Sequence, residues 1–280
     1  MNVVVGRVAG RIRGSCFSIG GQSFSLEANA GADHLHGGAE GLHRARFEMR
    51  VDGESLLLSH RSAAGAGGYP GELFVSVRYT LEGSCLDVEL EAESDAVTPV
   101  NLTHHGYFNL AGVESQSVLD HELWIASKRI ATNDADLLPT GAFEDVLGTH
   151  LDFTTMRTVR GAIDAERLTP RGGLDHSFAL DGNADPMQVR PVARLFEPTS
   201  GRCLELSTSA PCLQVYSANF LNVPGGKAGA LVPHSAICLE AQGFPDAVNQ
   251  PAFPSVLLAP GEPYRNRIRL DFSVVPKNGS

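Results

Sequence analysis

A strict alternation of apolar and polar residues between positions 73 and 93 is the feature that most constrains the fold. In the first run every second residue is apolar, and these residues are Leu73, Val75, Val77, Tyr79 and Leu81. Glu82 and Gly83 follow as a turn pair, and a second run then alternates apolar with acidic residues up to Glu93. Successive side chains of a strand point to opposite faces of the sheet. The pattern therefore predicts two half-buried antiparallel strands joined by a tight turn.

Further strand patterns occur along the rest of the chain, whereas helical periodicity is scarce. A second hairpin is predicted from Phe47 to Leu58, with its turn at Asp52 and Gly53. Residues 163–168 provide at most one or two turns of helix, and the stretch 63–68 is a loop by composition. Single strands are predicted at 202–208, 214–216 and 264–274. We expect an all-β fold, with residues 1–280 forming one large antiparallel β-sandwich domain of Greek-key type.

Composition and charge exclude several classes of partner. The 280 residues carry a formal net charge of -10 at pH 7. An acidic surface repels phosphate backbones and anionic membranes, so we expect no nucleic-acid partner and no membrane partner. The longest apolar runs are well short of the roughly 18 residues that a membrane-spanning helix needs. The first apolar run, Val3 to Val5, is too short for a signal peptide.

The five cysteines indicate a reducing compartment. They are odd in number and form no C-x-x-C pair, so neither a disulfide framework nor a zinc knuckle is indicated. Reduced, buried thiols in a cytoplasmic protein are the simplest interpretation.

Several histidines and carboxylates are candidates for a catalytic or binding site. His34 and His36 would share one face of a strand, and His105 follows His104 directly. Asp175 comes just after a Gly-Gly turn signal, and Glu240 ends an apolar run that starts at residue 236. A carboxylate at the end of a buried strand has a raised pKa unless it is paired.

Each of these residues also has a structural interpretation. A histidine near aromatic residues is usually a hydrogen-bonded structural group, and Asp175 could form a turn with its own backbone. Glu240 could pair with a buried arginine. A metal site is a further alternative, because His34, His36 and His105 with Glu240 have the ligand chemistry of a zinc or iron centre.

Seven motifs in order carry a resemblance to a known family. One of them reads Pro-Val-Asn-Leu-Thr-His-His-Gly-Tyr-Phe-Asn-Leu at 99–110, and another reads Cys-Leu-Glu-Ala-Gln-Gly-Phe-Pro-Asp-Ala at 238–247. The others lie at 6–12, 34–38, 68–71, 174–178 and 214–221. With these motifs the chain resembles the aldose 1-epimerase family, also called galactose mutarotases.

The resemblance implies a β-sandwich of the galactose mutarotase type, with the sugar in an open cleft on one sheet. It implies that Glu240 is the general base, that His105 is the general acid, and that His36 contacts the sugar near its ring oxygen. Arg11 and Asp175 match the groups that hold sugar hydroxyls. No metal or cofactor is used in the family. The implied activity is the interconversion of the α and β anomers of a hexose such as galactose or glucose, by a monomer or homodimer.

These roles fit the chemistry of anomer exchange. The C1 hydroxyl must lose a proton while the ring oxygen receives one, so two groups are needed on opposite sides of the reacting bond. Imidazole, with a pKa of about 6.5, is suited to act as an acid near neutral pH. Glu, with a pKa of about 4.3, is a weak base unless burial raises that value. Sugar faces also stack on aromatic rings, and Tyr216 and Phe244 are candidates for this contact.

The chain departs from the family pattern in several places. The first motif starts at residue 6, so we expect the family's first strands to be absent. Gly10 and His104 each stand where an Asn is common, and Ala64 and Ala66 stand where acidic residues are frequent. These changes affect sugar preference and remove no proposed catalytic group.

Two alternative functions stay open from the sequence. A hexose-6-phosphate 1-epimerase would need a cationic phosphate pocket, and no cluster of Lys or Arg lies beside the motifs. A non-catalytic sugar-binding or regulatory protein on the same fold would not need an acid/base pair, whereas this chain keeps both Glu240 and His105.

Overall fold

The fold is built almost entirely from antiparallel strands. A computed structural model describes residues 2–112, 114–182, 185, 187–225 and 229–276. Within these residues there are 23 strands, one α-helix and four single turns of 3-10 helix. The helix, α1, is Arg160–Glu166, and the 3-10 turns are Arg13–Ser15, Gly38–Glu40, Leu42–Arg44 and Ala66–Gly68. No helix of the described residues is long and apolar enough to cross a membrane.

The strands are numbered in chain order. In the first half they are β1 Val3–Val5, β2 Arg11–Ile12, β3 Cys16–Ile19, β4 Gln22–Ser25, β5 His34–Leu35, β6 Glu48–Asp52, β7 Ser55–Ser62, β8 Leu73–Glu82, β9 Cys85–Ser94, β10 Thr98–Pro99, β11 Thr103–His105 and β12 Tyr107–Phe108. In the second half they are β13 Glu122–Ile125, β14 Arg129–Asn133, β15 Pro139–Asp145, β16 Arg157–Thr158, β17 Asp175–Ala179, β18 Arg190–Phe196, β19 Arg202–Thr208, β20 Cys212–Tyr216, β21 Ile237–Gln242, β22 Leu257–Leu258 and β23 Tyr264–Val274.

Two large sheets enclose the main core. The larger sheet has nine strands in the order β16-β13-β18-β19-β23-β9-β8-β7-β6, and the smaller has six in the order β12-β21-β20-β17-β14-β15. Apolar side chains of both sheets, such as Val75 and Leu90 from one and Leu213 and Leu239 from the other, belong to one buried cluster. Packing of two apolar sheet faces is the β-sandwich architecture that the alternation predicts.

Most of the predicted strands are confirmed. β8 and β9 form the hairpin expected between 73 and 93, and β6 and β7 form the one that turns after Asp52. Strands β19, β20 and β23 contain the stretches expected at 202–208, 214–216 and 264–274. Leu81 is wrongly assigned to the core face, since its side chain is 61% exposed. Its cross-strand partner Leu86 is only partly buried against the core, so the boundary of the core lies at this end of the β8–β9 hairpin.

The helix and the cysteines need smaller corrections. Helix α1 begins three residues before the predicted stretch and ends at Glu166, because its buried face is made by Ala162, Ile163 and Glu166. All five cysteines are free, as expected of reduced thiols. The expectation that all are buried is wrong for Cys16, which is exposed, and for Cys85, which is half-buried.

A separate wall stands over one end of the six-stranded sheet. The wall comprises residues 6–12 and 34–38, which pair through β2 and β5. Arg7 is buried, and its guanidinium donates hydrogen bonds to the loop 62–71, including Ser62 Oγ at 3.0 Å and the Ala63 carbonyl at 2.8 Å. These hydrogen bonds attach the wall to the loop 62–71.

Asn101 joins the wall to the sheet. Its Nδ2 donates to the carbonyl oxygens of Ala9 at 3.3 Å and Gly243 at 3.1 Å, and its Oδ1 accepts from Gly243 N–H at 2.7 Å. Its backbone also pairs with Arg7 and Ala9. One buried amide thus connects the wall to the residue that follows β21.

We predict that Asn101→Ala lowers the free energy of unfolding by about 3 kcal/mol, because three side-chain hydrogen bonds are lost and their buried partners stay unpaired. Urea unfolding followed by circular dichroism measures this. Asn222, which is exposed, provides the matched control, and its change to Ala should stay within about 0.5 kcal/mol of the parent. Equal stability of the two variants would contradict the role given to Asn101.

Candidate active site

The outer face of the six-stranded sheet forms the floor of a cavity. On β21, Ile237, Leu239 and Ala241 point into the core, so the alternating side chains of Glu240 and Gln242 point to the opposite face. The same alternation on β20 and β17 places polar side chains beside them. Local strand geometry therefore gathers polar groups from distant parts of the sequence onto one surface.

The cavity lies between this floor and the wall. Its volume is about 280 Å³. The lining residues are Gly10, Arg11, Leu35 and His36 from the wall, His105, Tyr107, Asp175, Ser177, Gln214, Tyr216, Glu240 and Gln242 from the strands of the floor and its edge, and Asn133, Leu137, Pro139, Phe220 and Pro245 around them.

Glu240 projects from β21 into the floor of the cavity. Its Oε1 is 3.4 Å from Nε2 of His105, while its Oε2 has no hydrogen-bond partner among the described residues. The residue is 2% exposed, and burial raises the pKa of its carboxyl well above the usual range, with a further contribution from the charge of Asp175. The group that pairs with Glu240 is thus a histidine, and not the arginine that we considered.

His105 responds to the same burial in the opposite direction. Desolvation lowers the pKa of its imidazole to about 4. The ring stacks on Tyr107, with ring centroids 4.9 Å apart. The shifts of Glu240 and His105 both favour the uncharged forms, a protonated carboxyl on Glu240 and a neutral imidazole on His105.

His36 has a fixed tautomer. Its backbone is left-handed, with φ at 55°, and its Nδ1 accepts a hydrogen bond from the Gly10 N–H at 3.1 Å. Burial lowers the pKa of the ring to about 3, so the imidazole is neutral. A neutral ring that accepts at Nδ1 carries its proton on Nε2. His36 therefore presents a donor to the cavity, where its ring lies 5.6 Å from that of His105.

Asp175 is held at the other side of the floor by two side chains. Ser177 Oγ donates to Gln214 Oε1 at 2.5 Å, and Gln214 Nε2 donates to Asp175 Oδ1 at 2.6 Å. Burial raises the pKa of the Asp175 carboxyl, while Gln214 and the positive charge of Arg11 oppose that shift. Asp175 belongs to β17 and is opposite Tyr216, so the interpretation as a turn former is wrong.

The two aromatic candidates differ in position. Tyr216 lines the cavity, and its hydroxyl accepts a hydrogen bond from the backbone N–H of Phe220 at 3.1 Å. Phe244 is instead buried in a separate cluster, where it stacks on Phe253 with centroids 4.6 Å apart. It is not among the lining residues, so the predicted stacking of Phe244 on a sugar needs correction. An aromatic ring at the cavity mouth is supplied by Phe220, which is 65% exposed.

Comparison with known proteins agrees with this arrangement. A family model described as aldose 1-epimerase matches residues 1–271. The chain is 42% identical to a galactose mutarotase of Bos taurus over 273 residues, which are 97% of this chain and 78% of that protein. It is 31% identical to an aldose 1-epimerase of Escherichia coli over 96% of this chain and 78% of that protein. The chain belongs to the aldose 1-epimerase family. As a member of this family it is an isomerase.

Solved structures confirm the fold of this aldose 1-epimerase. A GalM/aldose epimerase homologue from C. elegans matches with a TM-score of 0.88 and 32% identity, over 98% of this chain and 82% of that one. A galactose 1-epimerase from Lactobacillus acidophilus matches with a TM-score of 0.81 and 28% identity, over 98% and 80% of the two chains. The predicted β-sandwich of the galactose mutarotase type is therefore confirmed.

The metal alternative fits the geometry only in part. Ligand atoms of His36, His105 and Glu240 lie within 4.8 Å of one another, whereas His34 is not in this group and places its Nδ1 2.7 Å from the Glu27 carbonyl. A metal-bound histidine usually donates a hydrogen bond from its second ring nitrogen. In His36 that nitrogen accepts one, which leaves the proton on the nitrogen that would have to bind the metal. The donor set of this epimerase therefore disfavours a metal.

Several lining residues were not identified from the sequence. They are Tyr107, Asn133, Ser177, Gln214, Phe220 and Gln242. A sequence pattern on β20 and β21 indicates some of them, because polar residues alternate there with apolar ones in strands that are otherwise buried. A polar side chain at every second position of a buried strand indicates a second, polar face.

We predict that the anomer exchange of this epimerase is independent of metal, because His36 has no free lone pair at Nε2. Polarimetry after dialysis against EDTA should give an unchanged rate, and added zinc should not raise it. Loss of activity on chelation with recovery on zinc would overturn the tautomer assigned to His36.

Proposed function

We propose that this aldose 1-epimerase interconverts the α and β anomers of a free hexose, such as galactose or glucose, by opening and closing the sugar ring. The observation that carries the proposal is the contact of Glu240 with His105 at the floor of the cavity, where Oε1 lies 3.4 Å from Nε2 and burial favours the uncharged form of each group. The identity to galactose mutarotases over nearly the whole chain supports it.

In the ring-opening step Glu240 accepts the proton of the C1 hydroxyl and His105 donates a proton to the ring oxygen. The bond between C1 and the ring oxygen breaks, C1 becomes an aldehyde and the ring oxygen becomes the C5 hydroxyl. This direction requires the shared proton to lie on His105 when the sugar is bound. Hydrogen bonds from sugar hydroxyls to the carboxylate of Glu240 favour its charged form and so provide that shift.

Ring closure reverses both proton transfers. After rotation about the bond between C1 and C2, His105 takes the proton of the C5 hydroxyl while Glu240 returns a proton to the aldehyde oxygen. Attack of the C5 oxygen on the other face of C1 gives the opposite anomer. The proton count of the pair is the same before and after turnover, so no co-reactant is needed.

The remaining lining groups hold the sugar. His36 donates from Nε2 toward the ring oxygen side, as its tautomer dictates. Arg11 and Asp175 bind hydroxyls through charge-assisted hydrogen bonds, which are stronger than neutral ones. Tyr216 offers a face to the pyranose ring.

The cavity chemistry favours a neutral sugar over a sugar phosphate. Among the lining residues that the structure describes, Arg11 is the one arginine or lysine, whereas Asp175 and Glu240 both carry carboxyl groups. A phosphate dianion would meet more acidic than basic groups, so the hexose-6-phosphate alternative is disfavoured.

The acid/base pair disfavours the alternative of a non-catalytic sugar-binding protein on the same fold. Such a protein would have no need of a carboxyl that is buried beside a histidine, since desolvation of such a group is costly. Action in the cytoplasm, organisation as one domain, and a monomeric or homodimeric state stay predictions.

Polarimetry of freshly dissolved α-D-galactose and α-D-glucose tests the function directly. The purified chain should accelerate relaxation to the same final rotation. A folded sample without acceleration on either sugar would favour the binding protein.

We predict that Glu240→Gln and His105→Asn each lower kcat/KM at least about 100-fold, because each removes one partner of the proton transfer. Initial rates of anomer exchange measure this. His104→Asn is a matched control, since the side chain of His104 lies against Tyr79, with centroids 6.0 Å apart, and does not line the cavity. It should keep near-normal activity. Near-normal activity in either of the first two variants would refute the mechanism.

We predict that the acid limb of kcat/KM lies near pH 4, well below the ordinary titration of a histidine. The active pair holds one proton. Because burial lowers the pKa of His105 to about 4, a second proton binds only near pH 4, which sets the acid limb. Because burial raises the pKa of Glu240, the proton is lost only well above the usual carboxyl range, which sets the alkaline limb. Initial rates, corrected for spontaneous exchange at each pH, measure the profile. An acid limb near pH 6.5 would contradict it.

A further inference from the structure

One buried side chain of the cavity has no role in the mechanism above. Gln242 is 1% exposed, lines the cavity and follows Glu240 by two positions on β21. Its Nε2 and its Oε1 both lack a hydrogen-bond partner among the described residues. The neighbouring Gln214 differs in this respect, because both of its polar atoms are engaged by Ser177 and Asp175.

An unpaired buried amide is costly to the fold. Each polar atom that leaves water without a new partner lowers stability, and nearly all such atoms in native proteins are paired. The strand opposite Gln242 offers Cys212 at the matching register position, and the adjacent cluster of Phe244 and Phe253 is apolar. Neither neighbour forms a hydrogen bond with the Gln242 amide. An apolar side chain of the same length would pack against them at a lower cost in free energy.

We propose that Gln242 is a substrate-binding residue that holds the C2 hydroxyl of the sugar. This inference rests on the proposed function. C1 has two ring neighbours, the ring oxygen and C2. Ligand atoms of His36, His105 and Glu240 lie within 4.8 Å of one another, and in the proposed mechanism both histidines serve the ring oxygen. The long side chain that follows Glu240 on the same face of the same strand is then placed for the hydroxyl on the other neighbour.

The chemistry of the two groups is complementary. An amide offers a donor at Nε2 and an acceptor at Oε1, and a hydroxyl can accept from the first and donate to the second. A site built to bind a hydroxyl rejects the analogue that lacks it, because its own polar atoms then stay unpaired. The enzyme should therefore prefer sugars that carry the C2 hydroxyl over 2-deoxy sugars.

A comparison of two substrates with one variant tests this inference. Gln242→Met keeps the length of the side chain and removes both polar atoms. We expect it to lower kcat/KM for D-galactose about 10-fold and to leave kcat/KM for 2-deoxy-D-galactose within about twofold of the parent. The melting temperature of the variant should equal or exceed that of the parent, since an unpaired buried amide is replaced by an apolar group. Gln22→Met on the exposed strand β4 is the control, with both activities unchanged.

The outcomes separate the alternatives. An equal loss on both sugars would overturn the assignment, because Gln242 would then act through Glu240 or the fold. A lower melting temperature with loss on both sugars would assign a structural role and overturn it as well. No loss on galactose would do the same. An inactive parent protein, by contrast, would refute the proposed function itself.

Discussion

The cavity depends on the attachment of the wall to the sheet by Asn101. The floor is a regular antiparallel sheet, but a sheet face alone is open to water and would leave Glu240 solvated. Asn101 binds the wall at Ala9 and the chain after β21 at Gly243, so the wall is fixed beside the strand that carries Glu240. The backbone N–H of Asp246 adds a bond to the Arg11 carbonyl at 2.9 Å. The enclosure that results is what desolvates the floor.

Enclosure in turn sets the proton chemistry. Burial raises the pKa of Glu240 and lowers the pKa values of His105 and His36, so it favours the uncharged form of all three groups. A single hydrogen bond from Gly10 then decides which nitrogen of His36 carries the proton. A glycine in the wall thus fixes a donor in the site, and it does so through its backbone, independently of the side chain that the family often has there.

The sequence predicts the architecture well because alternation of apolar residues is a local signal. It predicts Glu240, His105, His36, Arg11, Asp175 and Tyr216 as site residues, and the structure brings all six to one cavity. Phe244 fails because an aromatic residue in a motif can stack on other aromatic residues as readily as on a ligand, and only the packing of Phe143 and Phe253 decides between them. Gln214 and Gln242 cannot be recognised as site residues in this way, because the hydrogen-bond partners of a side chain on these strands depend on the register of β17, β20 and β21. These three strands are far apart in the sequence.

The shared proton of Glu240 and His105 has a consequence for how the catalyst depends on its surroundings. Ring opening moves one proton from His105 to Glu240 by way of the sugar, and ring closure moves one proton back. A full cycle therefore exchanges no proton with the solvent. Such a cycle needs neither a buffer molecule nor a water chain to reset the site between turnovers. The pair carries no net charge and its substrate is uncharged. We therefore expect the rate to depend little on the ionic strength of the medium.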